Sequence, residues 1–163
     1  MLLFAQLMEQ PQLGISLDSI DKVTNRIDSV CGLHLKEFTV PKKDSTGKFF
    51  TDTFQYVYSP KGQLAFLKVS HRIDSAYTQE WYYASNNTLL VSKIYIKRYM
   101  PYRYGTEETW HWGEECYFIN KRMIHEISHG HGITETDEYD PEMETLKRFK
   151  LRSGELERQH ITE

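Results

Sequence analysis

The stretch MIHEISHGHG, residues 123–132, admits two backbones that lead to different proteins. As a helix, it sets His125 and His129 one turn apart on a single face. As a strand, its side chains alternate with period two. Met123, His125, Ile127, His129 and His131 then share one face, and Ile124, Glu126 and Ser128 the other. Along a strand His125 and His129 lie about 13 Å apart, and Glu126 points away from both. The flanking sequence decides between the two.

Upstream, the chain reads as sheet from Phe49 to about Ser128. FFTDTFQYVY and QLAFLKVSH flank SPKG, QEWYYA and TLLVSKIYIKRY flank SNN, and ETWHWGEECYFI and MIHEIS flank NKR. Each pair is a run of β-formers around turn residues. VYSPKGQL (57–64), YYASNNTL (82–89) and YFINKRMI (117–124) align without gaps as an apolar pair, a turn and an aliphatic. The pattern predicts a meander of three hairpins, with residues 123–128 as the last strand. Asn86-Asn87-Thr88 fits a glycosylation sequon, but turn chemistry accounts for it.

Helical patterns flank the sheet. In SLDSIDKVTNRIDSVCG, Ile20, Val23, Ile27 and Val30 recur at helical spacing, with Ser16 or Asp18 as cap and Gly32 as the C′ residue. PKKDSTGK, residues 41–48, is rich in breakers and reads as a loop. In DEYDPEMETLKRFKLRSG, Asp140 suits the N-cap and Pro141 the first turn. Met143, Leu146 and Phe149 give a thin apolar face, Gly154 is the expected stop, and residues 155–163 form a polar tail.

Composition fits this plan. The chain has 163 residues, enough for one core, placed here at residues 13–154. Its 11 Tyr, 8 Phe and 3 Trp favour a pleated sheet. A net charge of −3 gives no basic surface for nucleic acid, and no apolar run is long enough for a membrane span. Cys31 and Cys116 allow either one disulfide or two buried thiols. Residues 1–12 begin MLLFAQ and read either as a flexible terminus or as a signal-peptide remnant cleaved near Ala5.

His125-Glu126-Ile127-Ser128-His129 fits H-E-x-x-H, and with Gly132 and Glu135 the stretch resembles the metzincin zinc proteases over residues 125–135. The resemblance implies a zinc ion on His125 and His129 with Glu126 as general base, and it requires a helix. Glu135 stands where that family has His or Asp, and the helix would have to absorb the turn-like FINKRM. The strand reading is the one adopted, with no metal. His71 and His111 lie singly in strands, and no nucleophile elbow or phosphate loop occurs.

Glu80-Trp81-Tyr82-Tyr83 with Leu89, and Glu115-Cys116-Tyr117-Phe118 with Ile124, resemble the repeated hairpins of small secreted or periplasmic bacterial proteins. That resemblance implies an exported α+β domain with no catalytic residue to carry over. The Asp-Gly and Asn-Gly turns of that group are absent here.

The expectation is therefore an α+β fold: an N-terminal helix, an antiparallel β-meander of about six strands and a C-terminal helix, with one or both helices on one sheet face. The expected function is a non-enzymatic binding or interaction protein of unknown ligand, without cofactor, with a protein as the candidate partner; its expected location is periplasmic or secreted, with the cytoplasm as the alternative. A zinc-dependent metallopeptidase using the HEISH segment is the alternative. Trp110, Trp112, Tyr102 and Tyr104 are the candidate contact patch; the competing reading makes them core beneath the helices, and solvent exposure separates the two.

Overall fold

A computed structural model of the chain describes residues 16–74, 76–101, 107–130 and 139–160, leaving aside the side chains of 99–101, 107–110 and 160. Helix α1 (Leu17–His34) starts at Ser16, whose side chain accepts from the Ser19 amide. That bond satisfies one of the orphan donors of the first turn. The helix runs through Gly32 and closes when the Leu35 amide donates to the Cys31 carbonyl.

Seven strands follow: β1 (Lys36–Lys43), β2 (Phe49–Tyr58), β3 (Leu64–Ile73), β4 (Ala76–Ser85), β5 (Thr88–Pro101), β6 (Glu107–Ile119) and β7 (Arg122–Gly130). They form one antiparallel sheet in sequence order. Helix α2 (Pro141–His160) completes the α+β fold. The strand beyond the six expected is β1, which takes in part of the segment read as a loop. Only Asp44–Lys48 turns, with the Asp44 carboxylate accepting from the Thr46 and Lys48 amides. Pro41 is tolerated because β1 is an edge, and Lys36, Lys42 and Lys43 guard that edge against pairing.

The hairpins share a defect as well as a plan. Register slips between Val57 and Tyr58, between Tyr83 and Ala84, and between Tyr117 and Phe118. Each time the returning strand holds one extra residue: Ala65, Leu90 and Ile124. Such bulges bend a strand and raise its twist. They also correct the gapless alignment. The first loop, residues 59–63, is one residue longer than 85–88 and 119–122, so Met123, not Ile124, is the counterpart of Leu64 and Leu89. Because Ile124 is bulged, Met123 packs into the core on the opposite face from His125.

The helices cover opposite faces, not one. On the first face, Ile20 and Ile27 of α1 pack with Val57, Phe66, Tyr83 and Val91. On the second, Leu156 of α2 packs with Phe54, Leu67, Tyr82, Cys116 and Phe118. Helix α2 does not stop at Gly154: it continues to His160 and buries Leu156, so the expected polar tail is largely helix. Cys31 belongs to the first cluster and Cys116 to the second, and both are free thiols. Burial raises the Cys31 pKa to about 11 and that of Cys116 to about 12, each aided by a neighbouring acid. Among the described residues no helix is long and apolar enough to cross a membrane.

Candidate functional site

Residues 122–130 are strand, paired with β6 from Trp112↔Gly130 to Ile119↔Arg122. His125 and His129 are therefore not one helical turn apart, and the geometry that H-E-x-x-H chemistry needs is missing. His125 packs its ring near Tyr117, at 5.9 Å. Glu126 lies opposite Cys116 on the other face. The metzincin positions Gly132 and Glu135, with His131, fall outside the described residues.

Of the four residues expected as a contact patch, only Trp112 has a described side chain. Trp112 is 1% exposed and packs edge-on against Tyr139, which immediately precedes the α2 cap. It is core, because alternation along β6 puts it on the α2 face with Glu114 and Cys116. Tyr102, Tyr104 and the side chain of Trp110 lie outside the described residues.

A concavity occurs instead on the α1 face, beyond the part that α1 covers. Two rows of cross-strand neighbours build it. One is Trp81, Lys93 and Glu115; the other is Tyr95, Gly113 and His129. Together with His111 they enclose about 500 Å³. Gly113 is the floor: it supplies no side chain between Tyr95 and His129. The polar groups are pre-oriented. The Tyr95 hydroxyl lies 2.6 Å from His111 Nδ1, and Lys93 pairs with Glu115 at 3.0 Å. Lys68 stacks over Trp81 at 5.6 Å, and the Tyr83 hydroxyl donates to Asp28 of α1, tying the helix to the groove's edge.

The α2 face holds a different chemistry, a row of buried acids met by helix cations. Asp52, Glu80 and Glu114 are 1%, 5% and 2% exposed. Arg152 lays Nε and Nη2 on the two oxygens of Glu80 at 3.0 and 2.9 Å, and its Nη1 reaches Asp52 Oδ2 at 3.0 Å. Lys42 adds a 2.6 Å contact to the same oxygen. Arg148, one turn before Arg152, donates to Glu114 at 3.1 Å, and the Tyr139 hydroxyl also meets that carboxyl. Burial opposes the charge on Glu80, but the Arg152 fork outweighs it and lowers the pKa. Burial likewise opposes Asp52, yet His71, Lys42 and Arg152 bring it down to about 2. Glu114, with a single arginine nitrogen, goes the other way: burial raises it. The structural counterpart of Glu80 is thus Glu114, not Glu115, which faces the groove.

The sequence reading missed these acids because an isolated Glu in a strand reads as an outward residue. A usable signal was present: Glu80 and Tyr82, like Glu114 and Cys116, sit at even spacing on one face, and Arg148 and Arg152 repeat at one helical turn. Among the described residues no cluster of three or more His, Cys, Asp or Glu is placed to hold a metal. Comparison with protein-family models, curated proteins and solved structures finds no match.

Proposed function

We propose that the chain is a non-enzymatic binding domain whose ligand seats over Gly113 on the open half of the α1 face. One observation carries this reading. Glycine in mid-strand costs roughly 0.5–1 kcal/mol relative to alanine, and here nothing in the backbone demands it. No left-handed φ marks Gly113, and an added Cβ would meet nothing closer than the Ile94 carbonyl oxygen at 3.4 Å. A strand glycine of this kind suits the close approach of another molecule.

The surroundings favour a flat, ring-bearing small ligand. The volume of about 500 Å³ is in the range of small-molecule sites, which combine apolar walls with a few fixed polar groups. Trp81 and Tyr95 supply aromatic surface, and His111, His129 and the Lys93–Glu115 pair supply the polar groups. The resemblance of the hairpins to exported bacterial proteins favours an extracytoplasmic setting for this binding.

Titration of the full chain with indole, followed by backbone amide NMR, tests the proposal. Saturable shifts at Tyr95, Gly113 and His129 are expected, and Gly113→Val, which fills the floor with a good strand former, should abolish them while the protein stays folded. Undiminished indole binding by folded Gly113→Val would sink the reading.

A further inference from the structure

The α2 face carries a second cavity, separate from the groove. Cross-strand register lines up Asp52, His71, Thr78 and Ile96 over β2 to β5, and alternation points all four to the α2 side. Helix α2 reaches Asp52 through Arg152, but beyond this the row opens into about 470 Å³ walled by His71, Thr78, Ile96, Arg98 and Asp74.

His71 and Asp52 form an incomplete pair there. His71 Nδ1 lies 3.3 Å from Asp52 Oδ1, yet each atom is fully buried and without a well-formed hydrogen bond. Asp52 Oδ2 is already occupied by Lys42 and Arg152, which leaves Oδ1 to the imidazole. Buried polar atoms in this state are uncommon and cost free energy unless another partner or state completes them. A His71 ring with its proton on Nδ1 completes the pair by donating to the carboxylate, and a second proton makes Nε2–H a donor into the cavity. An anion in the cavity would favour that state.

We propose that this cavity binds a small oxyanion, a carboxylate or phosphate group, held by the Arg98 guanidinium, the Thr78 hydroxyl and the Nε2–H of a His71 imidazolium balanced by Asp52. The charges around His71 fit this assignment. Lys42 comes from β1, Asp52 from β2, Arg98 from β5, and Arg152 and Glu155 from α2. The one acid on the cavity wall, Asp74, is paired with Lys48, which directs the anion toward Arg98.

The test follows the histidine ring signals of the full chain while inorganic phosphate, and separately acetate, replaces chloride at constant ionic strength. Saturable shifts of His71 are expected with at least one of the two anions. Arg98→Gln, at an exposed position, should weaken binding about tenfold, and His71→Gln, which removes the ring donor, should weaken it by a similar factor. A response to phosphate alone or to acetate alone supports the site and identifies the anion. His71 signals that follow the chloride control, or saturable binding unchanged in Arg98→Gln, overturn it. The groove over Gly113 lies on the other face, so neither result bears on it.

Discussion

Arg152 holds both oxygens of Glu80 in one planar fork, with a third nitrogen left for Asp52. Arginine and carboxylate match two bonds at once in this arrangement, which fixes geometry as well as charge. The contact joins α2 to β4 and β2 and sets how the helix lies across the sheet.

Removing the cation should therefore cost more than removing the whole network. Arg152→Ala leaves Glu80 and Asp52 buried with too little positive charge, and a loss of about 3–5 kcal/mol is expected. The triple replacement Arg152→Met, Glu80→Gln, Asp52→Asn should be less destabilising than Arg152→Ala alone. Urea unfolding at unchanged m-value measures both.

The same groups set the acid limit. Asp52 is lowered from 3.8 to about 2, so the folded state holds its proton less readily than the unfolded chain does. Its contribution is complete above about pH 4 and is lost as pH falls through about 2. Glu80 shifts in the same direction. Glu114 is raised, so its share favours the fold on the acid side and disappears as pH rises above the ordinary 4.5. The urea midpoint should fall steeply between about pH 4 and about pH 2, and Asp52→Asn should flatten that fall.

Two glycines at the β6–β7 pairing should respond oppositely to alanine. At Gly130 the backbone has φ +87, and an added Cβ would meet the His111 carbonyl oxygen at 2.3 Å. Gly130→Ala should destabilise by about 1–3 kcal/mol or more. Gly113→Ala has room and no left-handed φ to strain it, and should be neutral or stabilising by up to about 1 kcal/mol. Thermal unfolding of the two variants distinguishes them.

The last hairpin turns on Asn120 and Lys121 with φ 50 and 67, the left-handed pair of a tight β-turn. Asparagine tolerates this conformation better than lysine does. Lys121→Gly should stabilise the protein by roughly 0.5–1 kcal/mol, read as a raised unfolding midpoint.

Turn chemistry is what made the sheet legible. Asn86-Asn87 and Asn120-Lys121 are local signals, and local signals fixed the hairpins and the strand reading of the HEISH segment. Strand β1 was hidden because Pro41 and three lysines look like loop, and only its place at the edge makes them tolerable. Helix α2 runs past Gly154 because Leu156 gains burial that outweighs the glycine's poor propensity, a tertiary effect absent from any short window. The fates of Trp112 and Gly113 were unreadable for a related reason. They are adjacent residues on opposite faces, and which face α1 leaves open depends on how far the helix reaches.

The strictly sequential strand order also bears on how the chain finds this structure. Each strand pairs with its immediate neighbours in sequence, so the loops to be closed are short and their entropy cost is small. Sheets that interleave distant segments fold slowly because those closures precede the reward. Here the hairpins can zip one after another, and the longest-range contacts are left to the docking of α2, whose Arg152 meets Asp52 from 100 positions away and Glu80 from 72. Substitutions in the hairpin turns should consequently alter the rate of folding, and substitutions at Arg152 chiefly the rate of unfolding.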